Sequence, residues 1–271
     1  MSIFVPNARI LGTRHLAGGE GVGGLYRSEI ALGEVLGPPA PGQFFMVRAS
    51  GSSSDPLLPR ALSALDYDPK RKVLSVCYRV YGAGTAALAA LAKGAALEAR
   101  GPYGNGFDLA EAAGAGEILL VGGGVGVPPL YLLAKALGKK KKRVTLFQGA
   151  RSKGELLLVG EFARLGVHAR ISTDDGSRGF AGRVGALLGE QLPGVSKDSL
   201  VIACGPHPMM KDVAERCARA GLSCRVSLEE KMACATGVCL GCVVRLETDG
   251  GPKYVPTCTK GPVFDAARVV W

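Results

Sequence analysis

The hydrophobic rhythm of the chain changes twice. From the N-terminus to about Leu109, short apolar runs such as Phe44-Phe45-Met46-Val47 and Val73-Leu74-Ser75-Val76-Cys77-Tyr78 lie between Gly, Pro and Ser breakers, the pattern of short strands. One apolar helical stretch, Thr85 to Leu91, interrupts them. Strands of this length and spacing predict a small barrel or sandwich over residues 1–109.

From about Ala110 to Val226 strands alternate with helices. Ile118-Leu119-Leu120-Val121 is a continuous apolar run, as expected of a strand covered on both faces. A Gly-rich turn and a helix from Pro129 to Leu137 follow, then a strand over Val144 to Phe147, a helix near Glu155 to Leu165 and a strand over Val167 to Ile171. Leu200 to Cys204 reads as another buried strand, and Met209, Val213 and Cys217 fall at i, i+4 and i+8 on the next helix. The alternation predicts a doubly wound parallel sheet over residues 110–226. Residues 227–271 are too few for a good core of their own, yet they hold four of the eight cysteines, so a metal staple is expected.

Composition narrows the classes. The chain has 271 residues, 47% of them hydrophobic, enough for one large core or two modest ones with an appendage. Its forty glycines and sixteen prolines are dispersed, with no short repeat. The net charge is +10, and half of that excess sits in Lys139-Lys140-Lys141-Lys142-Arg143, after the helical stretch that ends at Leu137. A solvated helix end explains the run, and without interleaved aromatics it makes a poor nucleic-acid surface. Met1 to Ile10 has no signal-peptide core, and Ile118 to Leu133 is broken by glycines and by Pro128-Pro129, so a cytoplasmic protein without a membrane span is expected. Eight cysteines in a reducing compartment point to metal or redox chemistry.

The C-terminal cysteines are spaced Cys234-x4-Cys239-x2-Cys242-x15-Cys258, the plant-type [2Fe–2S] order. Gly237 and Gly241 permit the tight wrap that turns thiolates and backbone N–H groups inward. The rival is a four-cysteine zinc site, which usually needs two C-x2-C knuckles and has one here. Of the other four, Cys77, Cys217 and Cys224 read as small buried residues. Cys204, before Gly205-Pro206, is either a nicotinamide-site residue or plain core.

Gly122-Gly123-Gly124-Val125-Gly126 follows a buried strand and opens a helix, where glycines let amides reach a phosphate. It is not a full G-x-G-x-x-G. In the β region, Arg60 of Arg60-Ala61-Leu62-Ser63 could neutralise a pyrophosphate and the Ser63 hydroxyl could meet a flavin edge. The Gly84-Thr85 turn could offer N–H groups to phosphate.

Taken in order, R-x-x-S, G-x-G-T, Gly101-Pro102-Tyr103-Gly104-Asn105-Gly106-Phe107, the G-G-G-V-G-V-P-P turn, Cys204-Gly205-Pro206 and Ser227-Leu228-Glu229-Glu230-Lys231-Met232-Ala233-Cys234 resemble the ferredoxin–NADP reductase superfamily. Within it they are most similar to the electron-transfer subunits of type B dihydroorotate dehydrogenase. The resemblance implies an antiparallel FAD-binding barrel, an NAD(H)-binding α/β domain and a small C-terminal [2Fe–2S] domain. It implies FAD contacts at Arg60, Ala61, Leu62, Ser63, Cys77, Tyr78, Arg79, Gly84 and Thr85. It also implies nicotinamide dinucleotide contacts at Gly123, Gly124, Gly126, Cys204 and Gly205, and cluster ligands at Cys234, Cys239, Cys242 and Cys258. No residue for dihydroorotate chemistry itself is expected, since that belongs to an FMN-containing partner, as a heterotetramer of two of each. Electrons would run from FMN through cluster and FAD to NAD+ in pyrimidine biosynthesis. The alternatives are the small subunit of a related NAD(P)H:ferredoxin or sulfide-type reductase and a zinc-stapled nucleic-acid-binding module. Ala61 departs from the usual Pro, and Trp271 is expected to be a packed or frayed terminus.

Overall fold

A computed structural model describes residues 3–33, 37–49 and 55–271 of the chain. Six antiparallel strands close a barrel in the order β1-β2-β5-β4-β3-β6. They are β1 (Ile3–Ala17), β2 (Leu25–Ala31), β3 (Phe44–Ala49), β4 (Arg60–Asp68), β5 (Val73–Arg79) and β6 (Ala96–Tyr103). Closure leaves no free edge. Alternate residues point inward, so Ile10, Ile30, Phe45, Val47, Leu62, Leu74, Val76 and Leu97 fill the interior. Helix α1 (Ala83–Ala89) begins two residues before the expected Thr85, because the Thr85 hydroxyl closes the turn by donating to the Gly82 carbonyl at 3.1 Å.

After α2 (Leu109–Gly114) the expected sheet appears. Parallel β7 (Ile118–Gly123), β8 (Val144–Ala150), β9 (His168–Thr173), β10 (Phe180–Ala181), β11 (Leu200–Cys204) and β12 (Ser223–Ser227) run in the order β10-β9-β8-β7-β11-β12. Helices α3 (Val127–Gly138), α4 (Val159–Arg164), α5 (Val184–Gln191) and α6 (His207–Ala220) cover its faces. Helix α3 takes in Pro128 and Pro129, whose missing N–H costs nothing in a first turn. The helix expected from Glu155 is shorter. A tight turn over Lys153–Glu155 precedes it, and Leu158 at φ +58° separates the turn from α4. Among the described residues no helix is long and apolar enough to cross a membrane.

The C-terminal segment forms the hairpin β13 (Val243–Leu246) and β14 (Lys253–Pro256), the short α7 (Thr257–Lys260), and β15 (Val263–Asp265). Strand β15 pairs antiparallel with β12 and covers the sheet edge. The segment therefore shares a core instead of relying on a metal alone, with Val244, Phe264, Val269 and the half-buried Trp271 packing into the apolar face beneath α5 and α6. Arg225 of β12 pairs with Asp265 of β15 at 2.8 Å and with Glu111 of α2. The barrel joins the sheet through α3. Leu130 and Leu133 share one apolar cluster with Leu65 and Cys77, and Lys135 meets Asp66 at 2.7 Å.

Candidate functional site

Strand β4 has two working faces. Leu62 points into the barrel, whereas Ala61 and, by strand alternation, Ser63 point out, next to Phe44 and Met46 of β3. At its start, the Arg60 guanidinium lies against Gly84, in the space a β-carbon would fill, and donates to the Leu58 carbonyl. The Thr85 hydroxyl accepts from the Tyr81 N–H at 3.0 Å and so preforms the turn beside it. A cation held beside a bare glycine fits a pyrophosphate, which needs both charge and close backbone approach.

A cleft of about 1080 Å³ lies between Gly23, Arg79 and Tyr81 of the barrel and the carboxyl ends of β7, β8 and β11. Gly123, Gly124 and Gly205 line it. A β-carbon at Gly205 would stand 2.8 Å from Met209 Cε and 3.0 Å from the Gly123 amide, so both loops need glycine to lie this close. Gly126 is pressed against the Cys204 carbonyl, with the same effect on α3. This is the switch point at which doubly wound sheets bind nucleotides. Arg79, on the barrel side, reaches Glu155 at 3.3 Å, and Glu155 also holds Arg151 at 2.6 Å. Arg216 pairs with Asp212 at 2.9 Å, while the Arg183 side chain, before α5, lines the cleft with no hydrogen bond or ion pair among the described residues.

The four C-terminal cysteines come as two pairs. The Cys234 and Cys239 sulfurs are 3.3 Å apart, and Cys242 and Cys258 are buried together in one apolar cluster. Ala235 (φ +58°), Gly237 (φ +80°) and Leu240 (φ +53°) supply the left-handed turns that fold the loop back on itself. Thr236 donates its N–H to Cys234 at 3.4 Å, and hydrogen bonds from Thr236 and Cys239 bring the Cys234 thiol down to about 6, ready as a thiolate. Burial and the neighbouring Cys242 push Cys258 up to about 11. Among the described residues no three ligating side chains gather round one point. Four cysteines set apart in this way fit a [2Fe–2S] cluster, which would take all four as ligands, better than one tetrahedral zinc, whose ligands gather round a single ion. Ala61, Phe44 and Met46 of the barrel pack in the same apolar cluster as Cys242, Cys258 and Met232.

The structure thus brings Arg60, Gly84 and Thr85 together, and Gly123, Gly124 and Gly205 together. It turns the side chains of four other residues named from the sequence away from these groups. The Leu62 side chain and the Tyr78 ring are turned into the barrel, where the Tyr78 hydroxyl meets Ser28 at 3.0 Å; period-two alternation admits only every other residue to the outer face. Burial pushes that phenol up to about 12. Cys77 packs between barrel and sheet, its thiol also driven to about 12 by burial. Cys204 is fully enclosed, with its pKa raised by desolvation, so it offers core packing while Gly205 forms the wall. Arg151, Glu155, Arg183 and Glu229 were not singled out by the sequence reading. The loops of the first three carry no motif, Glu229 stands in the Ser227–Cys234 stretch without a role assigned to it there, and only the fold brings all four to one cleft.

Comparison with known proteins places these parts. Residues 229–270 match the family model "Iron-sulfur cluster binding domain of dihydroorotate dehydrogenase B", and residues 120–215 match "Oxidoreductase NAD-binding domain". The chain is 42% identical over 230 residues to the dihydroorotate dehydrogenase B (NAD(+)) electron transfer subunit of Bacillus caldolyticus, covering 85% of this chain and 86% of that one. It is 36% identical over 246 residues to that of Desulforamulus reducens, covering 91% and 92%. Among solved structures, an NADH-dependent reduced ferredoxin–NADP oxidoreductase superposes with a TM-score of 0.81 at 29% identity, covering 98% of this chain and 90% of that one. A Neisseria gonorrhoeae ferredoxin NADP+ reductase with bound FAD and NADP shares the fold at a TM-score of 0.66 and 15% identity, covering 81% and 92%.

Proposed function

The chain belongs to the electron transfer subunits of dihydroorotate dehydrogenase B (NAD(+)), and from that premise we propose which residues make its relay. Cys234, Cys239, Cys242 and Cys258 hold the [2Fe–2S] cluster, Arg60, Ala61, Ser63, Gly84 and Thr85 hold FAD, and Gly123, Gly124 and Gly205 hold the dinucleotide. The observation that carries this order is the shared packing of Ala61 with Cys242 and Cys258, which sets the outer face of β4 directly against the cluster loop. When bound there, the flavin supplies the exchange between a one-electron cluster and a nicotinamide that takes two electrons as hydride.

The protein's own share is positioning and charge. Arg60 balances the pyrophosphate, and the glycines of β7 and β11 let amides approach the dinucleotide phosphates. The Arg79–Glu155 pair fixes the barrel edge against the nucleotide-binding sheet. Backbone N–H groups of the cysteine loop offset the cluster's negative charge. NAD is preferred over NADP, in keeping with the relatives' name.

The catalytic partner carries FMN and oxidises dihydroorotate, in a cytoplasmic assembly of two subunits of each kind. It docks at the cysteine loop, where Val238 and Leu240 are 81% and 59% exposed on either side of Cys239. The alternative of a zinc-stapled nucleic-acid module has against it the iron–sulfur family match of residues 229–270. The related-reductase alternative has the lower identity, 29% against 42%. The test is anaerobic. Dihydroorotate added to the purified complex should bleach flavin and cluster absorbance, and NAD+ should restore both. A colourless chain carrying only zinc overturns the reading.

A further inference from the structure

The hairpin that joins Cys242 to Cys258 carries a hydroxyl with no part in the roles above. Thr257 follows β14 and is fully buried, at 0% exposure. Its N–H donates to the Cys242 carbonyl at 2.9 Å and its carbonyl accepts from the Gly261 N–H at 3.0 Å, so its backbone is satisfied. Its side-chain hydroxyl, shut off from solvent, has no hydrogen-bond partner among the described residues. A buried hydroxyl without an acceptor is costly, and a valine of the same shape would avoid that cost. Threonine at this position therefore calls for an acceptor close by.

The register of the hairpin shows what lies near. Val243 pairs with Pro256, and the bond from the Thr257 N–H sets Thr257 opposite Cys242, one step further along the ladder. Residues opposite each other on an antiparallel ladder turn their side chains to one face, with β-carbons about 5 Å apart. Cys258 is the next residue in the chain, and it is buried with Cys242 in one apolar cluster that includes Phe44, Met46 and Ala235. The hydroxyl thus lies beside two of the cysteines assigned to the iron–sulfur cluster, on the side of the loop packed against the barrel. In so dry a place a cluster sulfur is the acceptor within its reach. Reduction adds one negative charge to the cluster, so a hydroxyl donor stabilises the reduced form more than the oxidised one.

We propose that the Thr257 hydroxyl donates a hydrogen bond to a sulfur of the [2Fe–2S] cluster and raises its reduction potential, which makes the cluster a better acceptor of electrons from the partner. This rests on the assignment of Cys234, Cys239, Cys242 and Cys258 as the cluster ligands. The test is a redox titration of the purified complex, followed by the electron paramagnetic resonance signal of the reduced cluster. Thr257→Val keeps the shape and removes the donor. At a fixed potential its ratio of reduced to oxidised cluster should fall about tenfold, a shift of about 59 mV to lower potential for a one-electron couple. Thr257→Ser keeps the hydroxyl, and its ratio should stay within about twofold of the wild type. An unchanged potential in Thr257→Val, or an equal shift in Thr257→Ser, overturns the proposal and leaves the ligand assignment intact. Loss of the cluster in Thr257→Val alone supports the proposal; loss in both variants makes Thr257 a packing residue and overturns it. A wild-type complex without a [2Fe–2S] signal overturns the ligand assignment itself.

Discussion

The guanidinium of Arg60 occupies the space beside the Gly84 backbone that a β-carbon would take. The two residues are far apart in sequence, one opening β4 and the other in the first turn of α1, and their contact makes one anion cradle of two short motifs.

Gly84→Ala should therefore act as a flavin-site mutation even though it adds a single methyl. The methyl displaces Arg60 and widens the approach to the turn, and FAD affinity should fall about tenfold or more, roughly 1.4 kcal/mol per factor of ten. Titrating flavin-stripped protein with FAD by fluorescence quenching checks this, with cluster absorbance as the control for folding. Unchanged FAD affinity would mean that the cradle is only a packing contact.

Cys239→Ser separates the stations of the relay. Cys239 is the exposed member of the first thiol pair, and a hydroxyl is a poor cluster ligand. The cluster signal and dihydroorotate-dependent NAD+ reduction should disappear. NADH oxidation by an artificial acceptor should survive within about twofold, because the flavin cradle proposed at Arg60 and Gly84 lies outside the loop. Loss of NADH-to-dye activity with FAD still bound would contradict the placement of flavin beside nicotinamide.

Local signals explain what was legible in the sequence. The runs at Phe44 and Val73, the buried strand at Ile118 and the spacing of Cys234 to Cys242 each report chemistry within a few residues of chain. The facing of Leu62 and Tyr78 was not legible from their motifs, because a motif names residues while strand alternation decides which of them look outward. The pairing of β15 with β12 and of Arg79 with Glu155 could not be read either. Those partners are distant in sequence, and nothing local to either one specifies the other. The adjacency of Ala61 and Cys242, on which the relay order depends, is of the same tertiary kind.

Arg225 should prove a stability residue rather than a redox one. It ties β12 both to Asp265 of the edge strand β15 and to Glu111 of α2, with its side chain 26% exposed. Arg225→Met leaves two carboxylates without their cation and loosens the strand that anchors the C-terminal segment. Partial exposure tempers the cost, to about 1–2 kcal/mol. Thermal unfolding followed by circular dichroism should show a lower midpoint, while the spectra of bound flavin and cluster stay as in the wild type. A variant as stable as the parent would show that β15 is held by its backbone pairing and by Phe264 alone.

The last prediction concerns the docking face. Val238 and Leu240 expose apolar side chains beside the exposed thiol of Cys239, on a loop whose other cysteines are buried or half-buried. Scattered apolar residues need no explanation, but two that frame an electron port do, since transfer to a partner needs close and dry contact there. Val238→Glu with Leu240→Glu puts two carboxylates into that contact without touching a ligand sulfur. Truncating a central apolar anchor typically costs 2 kcal/mol or more, and burying a charge costs further, so affinity for the catalytic partner subunit should fall at least about thirtyfold. Sedimentation or titration of the separated subunits measures that affinity. Cluster absorbance and NADH-to-dye activity of the double variant should match the wild type, because Ala235 and Gly237 still turn the loop and glutamate meets the left-handed backbone at position 240 at much the same cost as leucine. Undiminished association would move the docking face elsewhere and leave the exposure of Val238 and Leu240 without a function.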